Sequence, residues 1–313
     1  MARKRTGDDV HGWLVLDKPI GVSSAKAVAE ARRIFNARRA GHGGTLDPLA
    51  SGILPIAFGE ATKTSAYAMA GTKTYRVAIR FGAATATDDR EGEIVARSEA
   101  RPETQAIHDA LPRFIGVIEQ VPPAFSAIKV AGERAYRLAR QGEAVQLAPR
   151  PVEIKGLTVV SRPDPDTVEL EVVCGKGVYI RSLARDLAQA LGTVGHVAAL
   201  RRTQVGPFRE IHAIALDKLR EFGHSPAAFE RLLPIETVLD DIPALAVTEG
   251  EAERLRQGQA LAALDTGAIG PRWHPKESPP DDGTILLATA DGKPVALARF
   301  ERGCVRPVRV LNL

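Results

Sequence analysis

Apolar positions along this chain change period from one segment to the next, and each change marks an element. Residues 13–16 form an unbroken apolar run ended by Asp17-Lys18-Pro19-Ile20-Gly21, which predicts a short buried strand and a turn. Ser23 or Ser24 can cap a helix reaching about Phe35, with Ala27, Val28, Ala31, Ile34 and Phe35 on one face. Residues 53–58 read as a second buried strand and 60–69 as a helix. Over 73–82 the pattern alternates: Tyr75, Val77, Ile79 and Phe81 point one way, Arg76 and Arg80 the other, as in a half-buried strand. A polar turn at 88–92 and a helix over 102–114 follow.

Residues 122–151 differ in character, with a Pro-Pro start, a basic, helix-like centre at 133–141 and a Pro-Arg-Pro exit. They predict an excursion from the sheet. Strands are expected at 152–160 and 167–174, and a helix at 179–191 through Leu183, Leu187 and Leu191. Strands and helices mixed without regular alternation predict an α+β fold with a largely antiparallel sheet. Residues 233–243, with Pro234, Asp240, Asp241 and Pro243, make a boundary. Beyond it Thr248 caps a helix to Gln257, stopped by Gly258. Two apolar runs, 285–290 and 295–300, flank Asp291-Gly292, a strong hairpin signal. Residues 270–283, rich in proline and charge, predict a loop. The expected organisation is a larger domain over 1–243, with its insertion at about 122–151, and a small β-rich domain over 244–313.

Composition narrows the class. No apolar run reaches membrane-spanning length and the basic start lacks the apolar segment of a secretory signal, so a cytoplasmic protein is expected. The two cysteines, Cys174 and Cys304, form no ligand pair, and the seven histidines show no compact spacing, so neither a disulfide framework nor a metal is implied. The formal charge is only +4, yet residues 244–313 carry nine basic and nine acidic side chains, so the whole excess lies before them. Basic clusters at 3–5, 32–33, 38–39, 129–140 and 201–202 can neutralise phosphates.

The candidate chemistry sits in Gly41-His42-Gly43-Gly44-Thr45-Leu46-Asp47-Pro48-Leu49-Ala50-Ser51-Gly52. Its glycines permit close backbone approach, and Pro48 pushes Asp47 out of the helical region, aiming one carboxylate from a loop. An ordinary hairpin needs far fewer turn residues. A second cluster, Gly177-Val178-Tyr179-Ile180-Arg181-Ser182-Leu183, places an arginine at a helix start, where the macrodipole disfavours a cation. Gly175 and Gly177 form only half of a dinucleotide fingerprint, and no P-loop pattern occurs, so no nucleotide cofactor is expected.

The first stretch, continuing through Gly59-Glu60-Ala61-Thr62-Lys63, resembles the active-site motif of the TruB family of pseudouridine synthases, which isomerise uridine 55 in the T-loop of transfer RNA. The likeness extends over most of the chain. It implies that Asp47 is the catalytic aspartate, that Arg181 pairs with it, and that Tyr75 stacks on the flipped uracil. It further implies that His42 enters the space left by the base and that Leu200 lines the uracil pocket. Tyr179 falls with Arg181 in Gly177–Leu183, which resembles the family's second active-site motif, and Lys18 and Lys63 match positions that shape the site or contact phosphate. The stretch 127–140, with Lys129, Arg134, Arg137 and Arg140, resembles the thumb that stand-alone members fold over the T-loop. The C-terminal domain resembles a PUA domain by length and position. The implied partner is the transfer RNA T-arm, with no metal or cofactor, no obligate protein partner and a monomeric chain. A guide-RNA-dependent synthase subunit and a non-catalytic RNA chaperone are the competing readings, and the set Asp47, Tyr75 and Arg181 argues against a pure binder.

Overall fold

The computed structural model describes residues 7–126, 128–130, 132–141, 143, 145–261, 273–274 and 280–313. The basic residues at 3–5 and most of the expected loop at 270–283 lie outside them. Seven strands build the main sheet: β1 (Gly12–Lys18), β2 (Ser51–Phe58), β3 (Lys73–Phe81), β4 (Gly116–Gln120), β5 (Arg150–Asp164), β6 (Thr167–Cys174) and β7 (Gly195–Val205). With the short strand Ile214–Ala215 at one edge, the spatial order is Ile214–Ala215, β1, β2, β7, β3, β6, β5, β4. The β2–β7 pair and the β1 pairing with Ile214–Ala215 are parallel; the other steps along this path are antiparallel.

β1 and β2 are apolar on both faces because both are covered. Leu14, Leu16, Leu54, Ile56 and Phe58 face one core with helix α1 (Ser24–Ile34), whose Ala27 and Ala31 pack there. Trp13, Val15, Ile53 and Ala57 face the other way, against Phe208, Ile235 and Leu239 and against Leu287, Leu297 and Leu311 of the C-terminal part. That part is a second sheet of five strands among the described residues, beginning at Ala244–Ala246 and built around the hairpin Ile285–Ala290 and Lys293–Glu301. Asp291 (φ 47°) and Gly292 (φ 74°) make its turn, with both central residues left-handed as a primed turn requires. Thr248 caps the helix Glu249–Arg256 with a reciprocal capping box to Glu251.

β2 explains how the site is housed. It changes partner along one edge: Ser51 and Gly52 pair with Arg201 and Arg202 of β7, whereas Ile56, Ala57 and Phe58 pair with the short strand Ala40–His42. Pro55, unusual in a central strand, sits between these partners, where its missing N–H leaves no ladder bond unmade. Loop 43–50 leaves the sheet through this split. At Gly52 (φ 101°) a Cβ would lie 2.2 Å from the Arg202 carbonyl oxygen, so only glycine fits where the two backbones meet.

Several expected elements come out differently. The helix expected at 60–69 is a 3₁₀ turn, Gly59–Thr64, followed by the short helix Ser65–Ala70. The helix expected at 102–114 is Thr104–Ala110 and then a 3₁₀ turn holding Pro112. The helix of the insertion runs only over Ala135–Arg140, because Glu133 and Arg134 pair in a short ladder with Lys129 and Val130. Neither β4 nor β7 is expected from the sequence pattern.

Candidate active site

Loop 43–50 is tied down at several points. The Ser24 hydroxyl, buried in the first turn of α1, donates to the Leu46 carbonyl and accepts the Leu46 N–H, both at 2.8 Å. The Gly21 N–H donates to the Pro48 carbonyl at 2.8 Å, and the Gly43 N–H to that of Pro55 at 2.8 Å. From below, Arg202 reaches into the split in the sheet. Its Nε donates to the Ile53 carbonyl at 2.8 Å and its two Nη groups to the carbonyls of Thr45 (3.2 Å) and Gly44 (3.0 Å). The loop backbone is thus satisfied by side chains and single backbone bonds instead of a ladder, as buried peptide groups demand.

Asp47 projects from this loop with its side chain 36% exposed, the most accessible member of an ion cluster. Helix α2 (Ile180–Ala190) supplies Arg181, buried in its first turn. The Arg181 Nε meets Asp47 Oδ2 at 3.0 Å. Its Nη1 donates to the Thr87 carbonyl and its Nη2 to that of Phe125, each at 3.0 Å. Asp89, buried beneath, lies 3.7 Å from Nη1 and takes hydrogen bonds from the Thr87 hydroxyl (2.6 Å) and the Glu91 N–H (3.0 Å). A cation at a helix start is unfavourable alone; here two carboxylates and two carbonyls compensate it. The planar guanidinium satisfies acceptors in several directions at once, which a lysine cannot do.

The cluster opens into a cavity of about 800 Å³, lined among others by Asp47, Tyr75, Tyr179, Arg181, Leu200 and Arg202. Burial pushes the Tyr75 and Tyr179 phenols up, against the pull of Arg202 on the former and Ser126 and Arg181 on the latter, so both rings present neutral hydroxyls. Lys73, on the same face of β3 as Tyr75, lines the cavity floor with its ammonium bonded to the carbonyls of Met69 and Gly71. Burial lowers its pKa to about 8 and raises that of the neighbouring Cys174 to about 12, leaving the thiol inert. The partly exposed Asp47 carboxylate, beside aromatic rings and an apolar wall, can act as a nucleophile or a base toward a flat, nucleoside-sized group.

Of the candidate site residues read from sequence, Asp47, Tyr75, Tyr179, Arg181 and Leu200 converge on this cavity, joined by Arg202 of the 201–202 cluster; among the described side chains, those of Lys18, His42, Lys63, Lys129 and Arg137 lie elsewhere. His42 closes the strand Ala40–His42 with its Nδ1 toward the Gly44 N–H (3.4 Å); burial and Arg202 hold its pKa down, so the ring is neutral near pH 7. Lys18 is buried below the loop, its ammonium on the carbonyls of Pro19 (2.9 Å) and Val22 (2.7 Å), and burial lowers its pKa to about 8 despite the nearby Asp47. Lys63 lies at the seam with the C-terminal sheet, pairing Glu60 and donating to the Val310 carbonyl at 2.7 Å. Lys129 and Arg137 are exposed on the insertion; the side chains of Arg134 and Arg140 lie outside the described atoms. The 201–202 cluster is not a phosphate-facing pair. Arg201 forks onto Asp17 at 3.0 and 2.9 Å and meets Glu210, while Arg202 is buried. Sequence reasoning gives no sign of Asp89 beyond the polar turn at 88–92, and it offers Ser24 only as a helix cap, the place that Ser23 takes.

Residues 32–180 match the family model described as TruB family pseudouridylate synthase (N terminal domain), and 181–240 match the tRNA pseudouridylate synthase B C-terminal domain. Proteins named tRNA pseudouridine synthase B are similar along the full length. That of Rhodospirillum rubrum is 51% identical and that of Caulobacter vibrioides 52%, with all of both chains covered. That of Bradyrhizobium diazoefficiens is 53% identical over 99% of this chain and 88% of the other. Among solved structures, a chain of the archaeal box H/ACA sRNP Nop10-Cbf5 complex aligns with TM-score 0.71 and 23% identity, over 97% of this chain and 87% of that one. A chain of an H/ACA RNP bound to a substrate RNA containing 2′-deoxyuridine aligns with TM-score 0.71 and 22% identity, over 100% and 92%. At that identity the likeness is one of fold.

Proposed function

The chain belongs to the TruB family of pseudouridylate synthases, and we propose that it is a transfer RNA pseudouridine synthase that isomerises uridine 55 of the T-loop, unaided by a guide RNA or partner protein. The observation that carries the reading is the Asp47 carboxylate held by Arg181 at the mouth of an aromatic-lined cavity. In the reaction the C1′–N1 bond breaks, the uracil turns, and C5 bonds to C1′; the proton lost at C5 is balanced by one gained at N1. Nothing is oxidised, so one carboxylate suffices, attacking C1′ or C6 or removing the 2′ proton.

The target base has to leave its stack, at a cost of a few kcal/mol. The cavity offers the Tyr75 ring and the Leu200 side chain as walls for it, and in this reading the neutral ring of His42, flanked by the loop glycines, fills the space the base vacates. In the same proposal the insertion at 122–151 and the C-terminal sheet hold the RNA backbone. Replacing the exposed Lys129 and Arg137 together by alanine is then expected to weaken transfer RNA binding and to lower the slope of log K against log salt by about one unit per lost phosphate contact. An unchanged slope removes the insertion from phosphate binding.

The deciding experiment incubates the purified chain alone with unmodified transfer RNA and maps pseudouridine by base-specific chemical labelling. Modification at the T-loop uridine is the expected result. Activity only after other subunits are added transfers the assignment to a guided enzyme, and tight binding without modification transfers it to an RNA chaperone.

A further inference from the structure

Gln120 is the last residue of the edge strand β4, and its carboxamide is almost wholly buried. It makes two hydrogen bonds to the backbone of a single residue far away in sequence: its Oε1 accepts the Tyr179 N–H at 2.8 Å and its Nε2 donates to the Tyr179 carbonyl at 3.1 Å. The side chain stands in for a neighbouring strand, satisfying the N-cap residue of α2, which has no side-chain cap of its own. Gln120 also pairs with Arg150 across the β4–β5 ladder, so the two ends of the 122–151 insertion meet at this point.

Three further bonds run the other way, from α2 to the leading limb of the insertion. Ser182 Oγ donates to the Val121 carbonyl at 2.8 Å, Arg185 Nη2 to the same carbonyl at 2.9 Å, and Arg181 Nη2 to that of Phe125 at 3.0 Å. Gln120 is the one member whose side chain comes from the sheet. Among the described side chains it also fixes both the carbonyl and the amide of Tyr179, whose ring lines the cavity. Resting on the function proposed above, we propose that Gln120 is a positioning residue: it docks the root of the insertion on the start of the Arg181 helix and so holds Tyr179 and Arg181 in register with Asp47. Gln120 touches no substrate atom in this account. It acts through Tyr179 and Arg181, so its loss misplaces those groups without altering their chemistry.

The test replaces Gln120 by Met, which keeps volume and removes both hydrogen bonds, with Gln120→Asn as the milder variant should the first fail to fold. Hydrogen exchange of peptides spanning 177–185 is measured beside the wild type, together with kcat and KM on unmodified transfer RNA. Expected are faster exchange confined to that segment, kcat lower by about tenfold or more and KM within twofold, with the melting temperature lowered by only a few degrees and unfolding still cooperative. Exchange unchanged in 177–185 overturns the docking role whatever the activity. Faster exchange with wild-type kcat, or a KM rise in place of the kcat loss, overturns the positioning role. A wild-type chain that makes no pseudouridine would refute the function, and the exchange result would still decide whether Gln120 docks this segment.

Discussion

Asp47→Asn is expected to bind transfer RNA as the wild type does and to form pseudouridine slower by about four orders of magnitude or more, as when a group essential to bond-making is removed. The carboxamide has the shape of the carboxylate, and its oxygen can still take the Arg181 Nε–H that Oδ2 takes at 3.0 Å. The loop around it does not depend on the charge: Leu46 stays pinned by Ser24, Pro48 by the Gly21 N–H, and Gly44 and Thr45 by Arg202. Arg181 keeps its bonds to Thr87 and Phe125 and its proximity to Asp89. Only the nucleophilic and basic electron pair is lost. The measurement is single-turnover pseudouridine formation alongside RNA affinity and a thermal melt. Turnover near the wild-type rate would take Asp47 out of the mechanism, and a collapse of affinity with the rate would make it a binding residue.

The parts of the fold that sequence reveals are those in which one local pattern persists. β1 and β2 are dense apolar runs, β3 alternates strictly, and the Asp291-Gly292 turn announces its hairpin. β7 escapes because its ladder with β3 is interrupted twice, between Val197 and Ala199 and between Arg202 and Gln204, so the period of two never lasts long enough to be read. β4 escapes because it lies at the sheet edge and Val117 faces solvent, 75% exposed.

The site divides along the same line. A glycine-rich loop with a single carboxylate is conspicuous in one dimension. The residues that brace it and the neighbouring start of α2 are not, because their partners lie far off in sequence: Ser24 meets Leu46, Arg202 meets residues 44, 45 and 53, and Gln120 meets Tyr179. The pair Arg201-Arg202 shows the limit most sharply. As neighbours they read as one basic patch, yet the alternation of a strand sends them to opposite faces of the sheet, one to Asp17 and Glu210, the other under loop 43–50.

Arg181→Met separates the two tasks of the buried guanidinium and is expected to cost both stability and activity. Asp89, its side chain only 5% exposed, loses its cationic neighbour but keeps the Thr87 hydroxyl and Glu91 N–H. The carbonyls of Thr87 and Phe125 are left bare. Removing one partner of a buried ion pair costs about 3–5 kcal/mol, and the donors that remain on Asp89 place the loss near the lower figure. The Asp47 carboxylate, being partly solvated, adds little to that loss. What it loses is orientation, and the rate should fall by about a hundredfold or more. Arg181→Lys restores a charge but cannot reach Asp47, Thr87 and Phe125 together, so it should recover stability better than rate. A second substitution tells the tasks apart. Asp89→Asn in the Arg181→Met background removes the uncompensated buried charge and should regain stability in denaturant unfolding, while pseudouridine formation stays low because Asp47 is still unheld. If the double variant is no more stable than Arg181→Met, the Asp89 charge is not what Arg181 compensates. If it regains activity along with stability, Arg181 serves the fold and not the aim of the aspartate.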